Sequence, residues 1–227
     1  MKSADTNSVS QADRLMAALI AVACVAMVVA IAHHPVAQGA TVNARIVNVA
    51  QQGATDELVH GAIYILLLTL ACGMSHYSLR RGINKPAVLA AGLAYCLATA
   101  LSFVAMAYDG FVIPALARRC ADGSSDCLNR AGELLSFASL CVQVFSRIGL
   151  LLMALSTILW SVDLLTSRKA RVRGVVCGGI SAAQLWLLSG VAYVLTPHSL
   201  LAVMATQIVW YLLVAASLGL WPIERHS

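Results

Sequence analysis

Charged side chains are scarce in this sequence. Only 11% of its 227 residues are Asp, Glu, Lys or Arg, 60% are hydrophobic, and aromatic residues make up 6%. Soluble domains carry about 25% charged and about 45–50% apolar residues. A chain with so little charge would expose large apolar patches in water, which excludes an ordinary soluble domain. Most of its surface is therefore predicted to contact lipid, and the lipid bilayer is its first expected partner.

Motifs that name a reaction are also missing. The sequence contains no phosphate-binding glycine loop, no nucleotide motif and no Ser/His/Asp arrangement. The formal charge of +5 comes from short basic clusters between apolar runs rather than from one basic face, so nucleic acid is not expected as a partner. Whether the protein is an enzyme stays open. A lipid-modifying enzyme ranks last, because no nucleophile and base can be named.

What the sequence does contain is six apolar runs of membrane-spanning length. They predict transmembrane helices at residues 15–33, 58–79, 86–109 with an extension to 117, 134–160, 174–195 and 199–220. The third and fourth runs exceed the roughly 20 residues that a bilayer needs, so they tilt, bend or project beyond it. Pro114 marks a bend or a helix end. The predicted fold class is all-α, a polytopic membrane helix bundle that forms a single domain over residues 1–227.

The beginning of the chain allows two interpretations. The first run is either an uncleaved helix, which its length favours, or a signal peptide cleaved after the small residues Ala30-Ile31-Ala32. Residues 33–57 are polar and small, but Val42, Ile46 and Val49 recur at helical spacing. This pattern predicts an amphipathic helix that lies on the membrane surface.

Basic residues between the runs predict the orientation. Arg80, Arg81 and Lys85 share one short loop, and four further basic residues lie in 168–173, two helices later. The positive-inside rule places both loops in the cytoplasm. With six helices, both termini are then cytoplasmic as well, in a multi-pass protein of a bacterial-type inner membrane.

One loop on the opposite side contains a cysteine pair. Cys120 and Cys127 enclose six residues in polar sequence, whereas the other five cysteines lie in apolar runs. An oxidising compartment would allow a disulfide there, closing the tip of the hairpin formed by the third and fourth helices. The alternative is two unpaired loop thiols. A metal motif is not indicated, since further ligands are missing at this spacing.

Ionisable residues within or beside spanning segments are expensive and are functional candidates by default. One set falls at the outer helix ends under this topology: His33, His34, His60, Asp109 and His198, with Asp56 and Glu57 just outside the predicted second helix. If the bundle brings these ends together, imidazoles and carboxylates could bind a transition metal, or two imidazoles a haem. A ligand-binding or redox bundle is therefore the first functional hypothesis. The alternative is that these imidazoles simply bridge lipid and water.

Arg147 lies deep in the fourth run, with Gln143 one turn earlier on the same helix face. The two residues suggest a polar path, hence a small transporter or permease-like subunit. The alternative is that Arg147 is a structural hydrogen-bond donor to the carbonyls of another helix. A third hypothesis is an accessory or assembly protein that presents the disulfide-closed hairpin to a membrane-protein partner.

Overall fold

The protein is almost entirely helical. Its computed structural model describes residues 9–120, 125–190 and 197–220, including all of their side chains except those of residues 125, 190 and 197–199. The elements in chain order are α1 (Gln11–Ala32), α2 (Val42–Arg81), α3 (Pro86–Ala107), a π-helix (Tyr108–Val112), α4 (Ile113–Cys120), α5 (Ser125–Thr166), α6 (Arg171–Gly190) and α7 (Pro197–Leu220). No strand occurs in these ranges.

Six helical segments in the described ranges are long and apolar enough to cross a membrane. They are Gln11–Ala32, Val42–Arg81, Pro86–Cys120, Asp126–Thr166, Arg171–Ser189 and Leu200–Leu220. The predicted all-α bundle with six spanning helices is thus confirmed. The orientation of the termini stays a prediction. The predicted turn at 196–198 falls partly outside the described residues.

Helix α2 is much longer than the second apolar run. It contains 40 residues, about 60 Å at 1.5 Å per residue, and starts at Val42 instead of residue 58. Residues 42–57 are helical as predicted, but they continue the spanning helix without a break. A separate surface-lying helix is therefore wrong. The predicted helical spacing of the apolar residues is present. However, Ile46 packs against Ala117 and Ala131 of the protein instead of against lipid.

A π-helix interrupts the third spanning segment at Tyr108–Val112. The main-chain N–H of Ile113 donates to the oxygen of Tyr108, five residues earlier. Pro114 follows at once and has no N–H to donate back into the preceding turn, which disfavours a regular α-helical ladder at this point. Single π-turns of this kind are frequent at functional sites. Here the widened turn contains Asp109 and Gly110.

The chain divides into two compact units, which are described separately. The first consists of residues 1–25, 67–99 and 150–227. Its centre is an aromatic cluster in which the rings of Trp160 and Trp210 stack at 5.7 Å, with Tyr77 edge-on to both. The Tyr95 hydroxyl donates to that of Tyr211 at 2.9 Å. These large side chains are at most 2% exposed, so they form the core of this unit.

Two buried carboxylates join the helix ends of this first unit. Asp163 accepts a hydrogen bond from Arg81 Nε at 2.7 Å and lies 3.2 Å from Lys85 Nζ. Asp13 lies 2.8 Å from His76 Nε2 and 3.0 Å from an Arg80 nitrogen. Both carboxylates are almost completely shielded from solvent, which is tolerable only because each has two partners.

The second unit consists of residues 26–66 and 100–149. Part of it is a small cap in which Ile46, Ala117 and Ala131 are buried together. These residues come from the start of α2, from α4 and from the start of α5. The sulfur atoms of Cys120 and Cys127 lie at disulfide distance, 2.13 Å, and so join α4 to α5, as the cysteine spacing predicted.

Within this unit α2 packs along the segment that holds the π-helix and α4. The rings of Tyr64 and Phe103 stack at 4.9 Å, which fixes one level of the contact. Some three turns away along α2, Arg118 forms an ion pair with Glu57 and passes over Gly53, where a Cβ atom would lie 2.5 Å from the guanidinium. The π-helix between these two levels is thereby held against the middle of α2.

Candidate metal site

Helix α2 positions the innermost residue of the site, His60, one turn after Asp56. The His60 side chain is only 3% exposed. Its Nδ1 lies 3.0 Å from the main-chain oxygen of Asp56, and this contact requires Nδ1 to carry the proton. The other ring nitrogen, Nε2, is then free to act as an acceptor or as a metal ligand. Metal-binding histidines are commonly oriented by such a bond from the non-ligating nitrogen.

The π-helix brings Asp109 to this nitrogen. Asp109 Oδ2 lies 3.4 Å from His60 Nε2. The approach depends on Gly110, because a Cβ atom there would overlap the base of the His60 side chain and would lie 2.7 Å from Nδ1. Only a glycine lets the π-helix lie this close to His60. The local sequence Asp109-Gly110 therefore supplies both the carboxylate and the room for it.

His34 completes the group from the connection between α1 and α2. Its Nε2 lies 3.3 Å from His60 Nε2, and the two rings meet edge-on with their centroids 4.8 Å apart. It also lies 3.8 Å from Asp109 Oδ2. Two imidazole nitrogens that face each other at 3.3 Å would repel through their lone pairs unless a proton or a cation lies between them. With the proton of His60 on Nδ1, a proton on His34 Nε2 meets this requirement, and a bound cation would meet it as well.

The three atoms form a triangle that fits a metal ion. Its edges are 3.3 Å between the imidazole nitrogens and 3.4 and 3.8 Å from Asp109 Oδ2 to His60 and His34. A triangle with these edges has a circumscribed radius of about 2.0 Å, so one point is equally distant from all three atoms. Zn–N and Zn–O distances in proteins are about 2.0–2.2 Å. The three distances are thus compatible with one shared ion.

Asp56 adds a second carboxylate beside this triangle. Its Oδ1 lies 3.1 Å from His60 Nδ1 and 3.8 Å from His34 Nε2. Among the described residues this buried oxygen has no hydrogen-bond donor, because the His60 Nδ1 proton points to the Asp56 main-chain oxygen instead. A buried carboxylate oxygen without a donor is costly. It is available either to support His60 or as a further ligand.

Exposure divides the site into two halves. The His60 and Asp56 side chains are 3% and 14% exposed, whereas His34 and Asp109 are 32% and 40% exposed. An ion would be reached from the side of His34 and Asp109, and three ligands leave at least one coordination position for water or another molecule.

The structure brings together three of the five residues that the sequence suggested: His34, His60 and Asp109. His33 is not part of the group, since its Nδ1 lies 2.8 Å from the main-chain oxygen of Val29 on the exposed side of α1. The side chain of His198 lies outside the described part. Asp56 was noted only as a residue beyond the helix. Asp56 precedes His60 by four residues, which puts both on one face of a helix. This spacing would have indicated Asp56 once α2 is known to begin at Val42.

The two polar residues predicted to lie within the membrane are on α5. Gln143 and Arg147 are both half-buried, and each has a contact of its own within the described residues. The polar path that they suggested remains a prediction.

No protein-family model, curated protein or solved structure matches this chain. The function must therefore be inferred from the chemistry of the site. Its donors are imidazole nitrogen and carboxylate oxygen, without a thiolate among the described side chains at the site. This donor set suits borderline divalent transition ions better than Cu(I), which prefers sulfur, or Ca²⁺ and Mg²⁺, which prefer oxygen alone.

Proposed function

We propose that this chain is an integral membrane protein that binds one divalent transition-metal ion through His34, His60 and Asp109. The observation that carries the proposal is the triangle of donor atoms, whose circumscribed radius of about 2.0 Å matches the metal–ligand distances of such ions. Asp56 supports the buried ligand His60. Zn²⁺, Fe²⁺, Mn²⁺, Co²⁺ and Ni²⁺ all accept this combination of nitrogen and oxygen donors.

The same geometry favours an ion over a haem. Two axial imidazoles bind a haem iron from opposite faces, so their nitrogens lie about 4 Å apart, twice a metal–nitrogen distance of about 2.0 Å. His34 and His60 are closer than this, at 3.3 Å, and a metal at about 2.0 Å from both would be bound at an angle of about 110°. That angle is near tetrahedral and leaves no room for a macrocycle between the rings.

The proposed setting follows from the sequence. The basic loops place the N- and C-termini in the cytoplasm of a bacterial-type cell. His34, His60 and Asp109, which lie at the outer ends of the apolar runs, then face the opposite side of the inner membrane, where the Cys120–Cys127 pair can be oxidised. An ion would accordingly reach the site from outside the cytoplasm.

Metal titration of the detergent-purified full chain tests the proposal. After removal of metal with a chelator, Zn²⁺ and Mn²⁺ are titrated separately, and bound metal is counted by mass spectrometry. We expect one ion per chain. His60→Gln and Asp109→Asn should weaken binding by more than about 100-fold, beyond the 10- to 100-fold loss typical of outer-shell changes.

His33→Gln is the matched control, because it removes a neighbouring imidazole that does not contact the site. It should leave the affinity unchanged. The proposal is wrong if the wild-type chain binds no stoichiometric metal, or if His33→Gln weakens binding as much as His60→Gln. A Soret absorption band in protein from haem-replete cells would instead support the haem alternative.

A further inference from the structure

We infer that the ion binds reversibly and that its binding fixes the connection between α1 and α2, residues 33–41, against the body of α2. This inference rests on the proposed metal site, and it adds that occupancy of the site controls the order of the connection. His34 belongs to the connection, while His60 and Asp109 belong to helices. An ion held by all three therefore joins a non-helical segment to two helical ones.

The connection has little else to hold it. Residues 36–41 are all exposed, so almost no apolar surface is buried there. Apart from the helix cap that Thr41 forms and the contact of His34 with His60, two hydrogen bonds attach it to α2, from the Gln38 amide to Asn48 Oδ1 at 2.8 Å and from Arg45 Nε to the Gly39 oxygen at 3.1 Å. Both are exposed, and exposed bonds contribute little net stability. The side chain of His34 is half-buried and is the part of the connection that contacts His60.

The backbone at Gly39 shows how the connection is brought back to α2. Its φ of +147° is rarely adopted by other residues, and a Cβ atom would lie 2.8 Å from the amide nitrogen of Arg45. Thr41 then caps α2 by accepting the Ala44 amide at 3.2 Å. Gly39 and Thr41 thus fix where the connection returns to α2, five and seven residues after His34.

The exposed ligands determine how the ion enters and leaves. His34 and Asp109 are the two ligands that water can reach, whereas His60 is nearly inaccessible. When His34 dissociates, the connection loses its half-buried contact and the ion loses one of three ligands. Binding and order of the connection are consequently linked. If the open form does not bind the ion, opening is suppressed by the factor 1 + [M]/Kd, about 100-fold at a metal concentration of 100 Kd.

Hydrogen exchange followed by mass spectrometry measures this linkage in the detergent-purified full chain. Exchange is compared with saturating Zn²⁺ and with chelator, in peptides that cover residues 33–45. The amides of His34 and Gln38 are the informative ones, because they are hydrogen-bonded to Ile31 and Asn48 and exchange only after opening. We expect Zn²⁺ to slow their exchange by up to about 100-fold, and chelator to restore the original rate.

Two variants complete the test. His33→Gln should show the same Zn²⁺-dependent protection as wild type, and His34→Gln should lose it while peptides from α6 and α7 exchange as before. If Zn²⁺ binds stoichiometrically but leaves exchange in residues 33–45 unchanged, this inference is wrong and the metal site stands. Retention of the ion after prolonged chelation also overturns it. If no Zn²⁺ binds at all, both proposals fail together.

Discussion

A single methyl group at Gly110 should damage the metal site more than its size suggests. In Gly110→Ala the new Cβ atom meets the Cβ, Cγ and Nδ1 atoms of His60. These atoms belong to the base of a buried side chain and not to a flexible end, so they cannot swing aside. The π-helix must therefore move away from α2, and Asp109 must move with it.

The required displacement can be worked from the structure. The new Cβ atom would lie 2.7 Å from His60 Nδ1 and closer still to Cγ and Cβ, whereas ordinary contact begins at 3.4 Å, so the shift must exceed the roughly 0.7 Å that Nδ1 alone requires. Metal–ligand distances are confined to about ±0.2 Å. Overpacking of this kind costs about 1–3 kcal/mol. If this cost is subtracted in full from the free energy of metal binding, the metal affinity falls by about 5- to 150-fold.

Competition with a chromophoric chelator in detergent gives the affinity directly. Gly61→Ala is the matched control, since it adds the same methyl group to the residue next to His60, where no atom lies within 4 Å. It should bind metal like wild type. The reasoning is refuted if Gly110→Ala binds with unchanged affinity, or if both glycine variants lose affinity equally. A melting curve of each variant separates local damage from unfolding.

Three further predictions concern the rest of the chain. Unreduced, denatured protein should react with a thiol reagent at five cysteines rather than seven, and seven reactive thiols would contradict the Cys120–Cys127 bond. Cys120→Ser should lower the unfolding free energy by about 2–3 kcal/mol. Asp163→Asn leaves Arg81 buried without a charge partner and should cost about 3–5 kcal/mol, visible as a lower melting temperature; an unchanged melting temperature would contradict a tightly coupled pair. A cysteine at Asn84 should resist an impermeant maleimide in intact spheroplasts and react after lysis; labelling before lysis would reverse the proposed orientation.

The spanning helices were predictable because lipid imposes a minimum apolar length. Within the described residues, each of the six apolar runs coincides with a helix over nearly all of its length. The start of α2 was not predictable in the same way. Polarity after residue 33 indicates only where the membrane ends, and a helix can continue beyond that point when other helices cover it. Ile46 is covered by Ala117 of α4 and Ala131 of α5, which are distant in sequence.

The candidate site was predictable in part for a similar reason. Imidazoles and a carboxylate at helix ends pointed to His34, His60 and Asp109. The sequence could not show that His34 belongs to the site and His33 does not. Adjacent side chains at a helix end point in different directions, and the path of the following connection decides which one faces His60. Nor could it show that the turn containing Asp109 is a π-helix, or that Asp56 lies one turn before His60 inside α2.

Asp109 is the residue whose role differs most between the proposed ion and a proton shared by His34 and His60. A proton alone would join the two nitrogens at 3.3 Å and would require no third group. Asp109 Oδ2 lies 3.4 and 3.8 Å from the two nitrogens, longer than the usual 2.7–3.2 Å of hydrogen bonds. Ligands of one tetrahedral ion at about 2.0–2.1 Å lie about 3.3–3.4 Å apart. The 3.4 Å distance from Asp109 to His60 matches this spacing and the 3.8 Å distance to His34 exceeds it, so Asp109 must move slightly toward His34 to share the proposed ion. Under the proposed site, Asp109→Asn should weaken metal binding by more than about 100-fold.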